Sequence, residues 1–68
     1  MSGLIKRSVT IAGHRTSVSL EPVFWDALVA EADGEGRSVN ALVAEIDEAR
    51  TTNLSSAIRV WLFERRGG

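Results

Sequence analysis

The sequence predicts a mainly α-helical chain with a short β ribbon, and three observations predict it. Arg15-Thr16-Ser17-Val18-Ser19-Leu20 alternates polar and apolar residues with period two. Three later segments place apolar residues at helical spacing. Between them stand the punctuation marks of helix ends: Pro22, the glycines at 34 and 36, and Thr51-Thr52-Asn53.

The elements follow in order. Thr16, Val18 and Leu20 are expected to face a core, and Arg15, Ser17 and Ser19 to face out. Upstream, Val9 and Ile11 alternate on odd positions, so the two apolar sets cannot share a face in one continuous strand. Gly13 suits a bulge or turn that resets the register. A hairpin from Ser8–Ile11 onto Arg15–Leu20 and an extended arm are both open. Pro22 fits the first turn of a helix, where its missing N–H costs nothing. Trp25, Leu28, Val29 and Ala32 then define one helical face to about Ala32, with Phe24 added to the stripe. Gly34 is expected to take the left-handed helix end. Ser38 is a good N-cap for a second helix carrying Val39, Leu42, Val43 and Ile46 to about Arg50. Asn53 caps a third, with Leu54, Ala57, Ile58, Trp61 and Leu62 on one side. That stripe is expected to pack on the core, with contacts between dimers as the alternative. The tail Arg65-Arg66-Gly67-Gly68 is expected to fray. Residues 1–14 are thus read as a basic arm with an extra strand left open, 15–50 as the central domain, and 51–68 as a C-terminal helix and tail.

A lone strand leaves both hydrogen-bonding edges unpaired. The expected repair is a second copy whose strand pairs with the first. Size points the same way. A domain of 68 residues rarely gains more than ~3–5 kcal/mol from its own core. The sequence has no cysteine, which excludes disulfides and thiolate zinc sites. One histidine, His14, makes no metal site by itself, and it is expected to be structural or exposed. Oligomerisation remains, with Val18, Leu20, Trp25, Leu28, Leu42, Val43 and Ile46 as the expected dimer core.

Charge is polarised. The formal net charge is −1, but residues 1–20 carry +3 with no acid, residues 21–50 carry −6, and residues 51–68 carry +2. The strand end is basic and the helical body acidic, an arrangement that can hold a polyanion on one face. No apolar run approaches a membrane span, and the first residues lack the apolar stretch of a signal peptide. A cytoplasmic protein is expected. The sequence shows no carboxylate pair beside a nucleophile, no Cys–His couple and no glycine-rich phosphate loop. No enzyme, cofactor or metal is expected.

A strand running into a Pro-opened helix, followed by Gly36-Arg37-Ser38-Val39-Asn40, resembles the ribbon-helix-helix family of Arc- and MetJ-type DNA-binding repressors. The arm Lys6-Arg7-Ser8-Val9-Thr10-Ile11-Ala12-Gly13-His14-Arg15, with the added third helix, is similar to a bacterial subgroup of that family. The resemblance implies a homodimer with an intermolecular antiparallel two-stranded ribbon, which has the width to enter the major groove of double-stranded DNA. It implies a cytoplasmic, nucleoid-associated transcriptional repressor. It also implies base contacts from Arg15, Ser17 and Ser19. Arg15 can bond guanine with two donors, whereas the short serines specify little. Phosphate contacts are expected from the start of the second helix, at Arg37, Ser38, Val39 and Asn40, and from Lys6 and Arg7 in the arm. The alternative is a protein-interaction module, antitoxin-like or an adaptor, that works through the acidic body and the third helix. The short stretch after Phe63 weighs against an antitoxin.

Overall fold

The computed structural model describes residues 3–65. Two antiparallel strands, β1 (Ile5–Ile11) and β2 (His14–Leu20), are followed by three helices, α1 (Pro22–Gly34), α2 (Val39–Ala49) and α3 (Leu54–Arg65). The extra strand left open by the sequence exists, and it forms a hairpin. The register runs from Ile5 opposite Leu20 to Ile11 opposite His14. The loop is therefore two residues long, and Ala12 (φ 52°) and Gly13 (φ 82°) both lie in the left-handed region. Positive φ at both central residues defines a type I′ turn, whose twist matches that of the strands it joins. An even loop pairs odd positions of β1 with even positions of β2. Val9 and Ile11 thereby come to the same face as Val18 and Leu20, so the turn resets the register as the alternation required.

Within the chain β2 pairs with β1 along one edge, because residues 5–11 fold back through the turn. The hairpin edge along β1 is also covered. The Thr10 N–H donates to Asn40 Oδ1 at 3.2 Å, and the Trp25 Nε1–H donates to the Ile5 carbonyl at 2.7 Å.

Ala12 holds a backbone conformation that costs an alanine about 1 kcal/mol. Asparagine tolerates it better. Ala12→Asn is expected to stabilise the chain by ~0.5–1 kcal/mol, raising Tm by roughly 3–6 °C in a thermal melt.

Helix α1 opens on Pro22 with Glu21 in extended conformation before it. Its end differs from the expectation. Gly34 is the last helical residue, and Gly36 (φ 66°) takes the left-handed position. The Gly36 N–H donates to the Asp33 carbonyl at 3.1 Å and the Arg37 N–H to the Ala32 carbonyl at 2.9 Å. These two bonds make a Schellman motif, which satisfies the last carbonyls of α1 before the chain turns into α2. Ser38 caps α2 as expected, its Oγ accepting the Ala41 N–H at 3.0 Å. Asn53 caps α3 in the same way, through the Ser56 N–H at 2.9 Å.

The core lies between the inner face of the hairpin and the three helices. β1 packs against α2, and β2 against α3. Val9, Val18, Leu20, Trp25, Leu28, Ala32, Leu42, Val43, Ile46, Ile58 and Leu62 are buried together. Val29, expected in the α1 stripe, is exposed instead. The seven residues expected to form a dimer core, Val18, Leu20, Trp25, Leu28, Leu42, Val43 and Ile46, are each no more than 3% exposed within one chain. The hairpin and α3 add Val9, Ile58 and Leu62 to the same cluster.

Helix α3 is a core element. Ile58 and Leu62 are buried, the Ser55 hydroxyl donates to the Ser19 carbonyl at 3.1 Å, and Arg59 Nε donates to Glu21 at 2.9 Å. Glu21 has its pKa lowered by a hydrogen bond at its own backbone and then by the Arg59 contact. Of the tail expected to fray, Arg65 instead ends α3 in an ordered setting. It bridges Glu31 and Glu35 and stacks 4.5 Å over the Trp61 ring. Residues 66–68 lie outside the described residues.

Candidate nucleic-acid interface

Cross-strand partners in an antiparallel pair point to the same side. The register therefore sorts the hairpin into two faces. Val9, Ile11, Val18 and Leu20 belong to the inner one. The outer one carries Lys6 opposite Ser19, Ser8 opposite Ser17, and Thr10 opposite Arg15. Seven-residue strands make this face roughly 20 Å long. All three expected base-contact residues, Arg15, Ser17 and Ser19, stand on it. Arg15 and Ser17 are exposed, and Ser19 is half-buried beside α3. The face is built from four hydroxyls and two cations, and Ile5–Leu20 contains no acid.

Ser8 and Thr10 were not singled out from the sequence. The signal for them was the parity of the Ala12-Gly13 loop, which carries the even positions of β1 to the outer side.

The expected phosphate residues divide three ways. Arg7 lies on the inner side of β1, its guanidinium 5.1 Å over the Trp25 ring. There it borders a shallow groove of about 270 Å³ lined by Arg7, Ser8, Trp25, Ser38, Val39 and Asn40, among others. The structure thus brings Arg7 together with Ser38, Val39 and Asn40. Asn40 Oδ1 and Thr10 tie the start of α2 to β1, and Ser38 Oγ holds the Ala41 N–H. Among the described residues, the N–H groups of Val39 and Asn40 have no acceptor. Free N–H groups at the positive end of a helix favour an anion.

Lys6 stands apart from this groove, on the outer face. Arg37 is committed elsewhere. Its Nη1 contacts Glu45 at 2.6 Å and Glu35 at 3.2 Å, and its Nη2 donates to the Ala41 carbonyl at 3.2 Å. Those hydrogen bonds, Glu45 first, raise its pKa further. Arg37 fastens the α1–α2 corner. His14 sits opposite Ile11 at the strand start and is exposed.

No helix among the described residues is long and apolar enough to cross a membrane. Among the same residues, no cluster of three or more His, Asp or Glu side chains could hold a metal.

A hairpin with a polar, acid-free outer face, backed by helices and flanked by a capped helix start, defines a ribbon-and-helix architecture. The ribbon-helix-helix domain family model matches residues 4–65, and the chain belongs to that family. Its members are typically DNA-binding transcription regulators, generally dimeric and generally non-enzymatic. Comparison with curated proteins and with solved structures gave no match.

Proposed function

We propose that this chain is a homodimeric transcriptional regulator that binds double-stranded DNA through the outer face of its β hairpin. A two-stranded ribbon has the width to enter the major groove. The observation that carries the reading is the sorting of the hairpin. Lys6, Ser8, Thr10, Arg15, Ser17 and Ser19 share one acid-free face, and the apolar residues are gathered on the other.

Each part has a role in this reading. Arg15 reads guanine by two donors to O6 and N7. The hydroxyls of Ser17 and Ser19 donate or accept and so tolerate many bases. Such a face discriminates modestly by direct contact, and DNA shape contributes the rest. Lys6 follows the backbone at the far end of the ribbon. The groove formed by Arg7, Ser38, Val39 and Asn40 seats a phosphate beside β1, with Arg7 giving the charge and the α2 start giving two N–H donors. The acidic body stays away from the duplex. Binding to the chromosome places the protein in the cytoplasm, at the nucleoid in a bacterial cell. Repression follows when the occupied site overlaps a promoter.

Fluorescence anisotropy on a duplex selected from random sequence tests this. If ~6 phosphates are neutralised, affinity falls about a thousandfold between 50 and 200 mM salt. An affinity that ignores salt, or an absence of DNA binding at low salt, would sink the proposal.

A further inference from the structure

The two edges of the hairpin differ. The two-residue turn makes Ile11 and His14 a hydrogen-bonded pair, and bonded pairs then recur at every second residue. The even residues of β2 therefore spend their backbone groups on β1, and Arg15, Ser17 and Ser19 point theirs away from it. By the same alternation Thr10 points outward from β1, where Asn40 meets its N–H. On the far side of β2, the Ser55 hydroxyl reaches the Ser19 carbonyl. The backbone groups of Arg15 and Ser17 have no partner among the described residues. An open edge is where a further strand pairs. The family is generally dimeric. A second copy joined at this edge gives the strand order β1-β2-β2-β1, twice the two strands of one chain. Centred on Ser17, the joint sets Arg15 of one copy opposite Ser19 of the other, so no like charges meet.

Width then decides what each strand can reach. Strands lie ~4.8 Å apart, so each β2 runs about 2.4 Å from the two-fold axis and each β1 about 7 Å from it. The major groove is ~12 Å wide, which puts its walls about 6 Å from that axis. The two β2 strands fit between the walls. The two β1 strands do not, and they come to rest over the sugar-phosphate backbones.

We propose that the outer face is divided by strand: the two β2 strands read bases, and each β1 grips one backbone of the duplex through Lys6, Ser8 and Thr10. The side chains agree with this division. Lys6 brings an ammonium, and Ser8 and Thr10 bring hydroxyls, all donors suited to phosphate oxygens. The one guanidinium of the outer face, Arg15, stands on β2. The anion-seeking groove of Arg7, Ser38, Val39 and Asn40 also borders β1, and Ser8 lines it. Ser8 and Ser17 are thus the same residue type, exposed and directly opposite each other, yet they meet different parts of the duplex.

This inference deepens the proposed function and rests on it. If the wild type retains no duplex at low salt, the proposed function itself fails. Where a duplex is retained, a matched pair of variants tests the division by itself. Ser17→Asn places a side chain able to bond adenine with two contacts on β2. It is expected to change the base selected at one position of each half-site, by roughly 5- to 150-fold in preference. Ser8→Asn makes the same change one strand away and is expected to leave the selected sequence as it was. Ser8→Ala is expected to weaken every duplex alike, by about 10-fold. Both positions are exposed, so the melts of these variants should match the wild type. A measurement without DNA checks the strand order. The chain has no cysteine of its own, so a nitroxide can be attached at Ser17→Cys or at Ser8→Cys. Dipolar EPR of the dimer is expected to find the labels at 8 about 10 Å farther apart than those at 17, two strand spacings. The inference is overturned if Ser8→Asn changes a selected base, or if a retained Ser17→Asn complex selects the wild-type sequence. Labels at 8 no farther apart than labels at 17 would overturn it equally.

Discussion

Ile58→Ala is expected to leave the chain largely unfolded at 37 °C. Ile58 is fully buried on α3 against a core shared with the hairpin and the other two helices. Replacing a buried isoleucine by alanine costs ~2–5 kcal/mol, the spread reflecting how far the surroundings collapse. A domain of this size rarely has more than ~3–5 kcal/mol of core stabilisation to lose. Tm is expected to drop by roughly 15 °C or more. Deleting everything after Thr52 removes Ile58, Leu62 and the Ser55 and Arg59 contacts together, and no cooperative melt should remain. Glu48→Ala, at an exposed position, serves as the comparison and should stay within about ±0.5 kcal/mol. Thermal denaturation followed by circular dichroism reads all three. A truncated chain that melts cooperatively near the wild-type Tm would mean that α3 is an appendage reserved for assembly.

Arg15→Ala is the second large effect, and it falls on DNA rather than on stability. Arg15 is exposed and has no ion-pair partner among the described residues. Its removal should leave the melt unchanged. A bidentate contact to guanine is worth ~1–3 kcal/mol of discrimination, so affinity for the selected duplex should fall roughly 5- to 150-fold. Preference at one base pair should relax with it. Lys6→Ala should behave differently. It is expected to weaken all sequences alike and to reduce the salt slope by about one. Arg37→Ala is an informative contrast, because Glu35, Glu45 and the Ala41 carbonyl already hold its guanidinium. It should loosen the α1–α2 corner and leave the salt slope alone. Anisotropy titrations of the three variants at two salt concentrations separate these outcomes.

The helices were legible because each is marked locally. Pro22, Ser38 and Asn53 act through the bonds of a first helical turn, which a few neighbouring residues decide. Their apolar stripes follow from period alone, and Val29 was lost from one because helix packing, not spacing, decides how wide the buried stripe becomes. The hairpin was harder to read. Ala12 is not a residue that advertises positive φ, so the type I′ turn shows only through Gly13 and through the parity clash between Val9 and Val18. Those signals leave a hairpin and an extended arm both open, and the pairing of β1 on β2 decides for the hairpin. The end of α1 was misplaced by two residues because either Gly34 or Gly36 could take the left-handed position. The bonds from Gly36 and Arg37 back to Asp33 and Ala32 choose the second.

The expected base contacts depended only on outward alternation in β2, and Arg15, Ser17 and Ser19 stand on the outer face for that reason. The phosphate residues depended on tertiary placement, which alternation does not encode. Arg7 and Lys6 are adjacent in the chain and therefore lie on opposite sides of the sheet. Arg37 lies beside Ser38 in sequence, yet its long side chain reaches two carboxylates that a helix cap does not announce.

The most direct measurement is an amide NMR titration of the labelled chain with its selected duplex at low salt. Shifts concentrated at Lys6, Ser8, Thr10, Arg15, Ser17 and Ser19, with Val39 and Asn40 moving alongside, are the predicted result. Shifts confined to α1 and α3, with the hairpin silent, would contradict the assignment of the ribbon to the DNA groove.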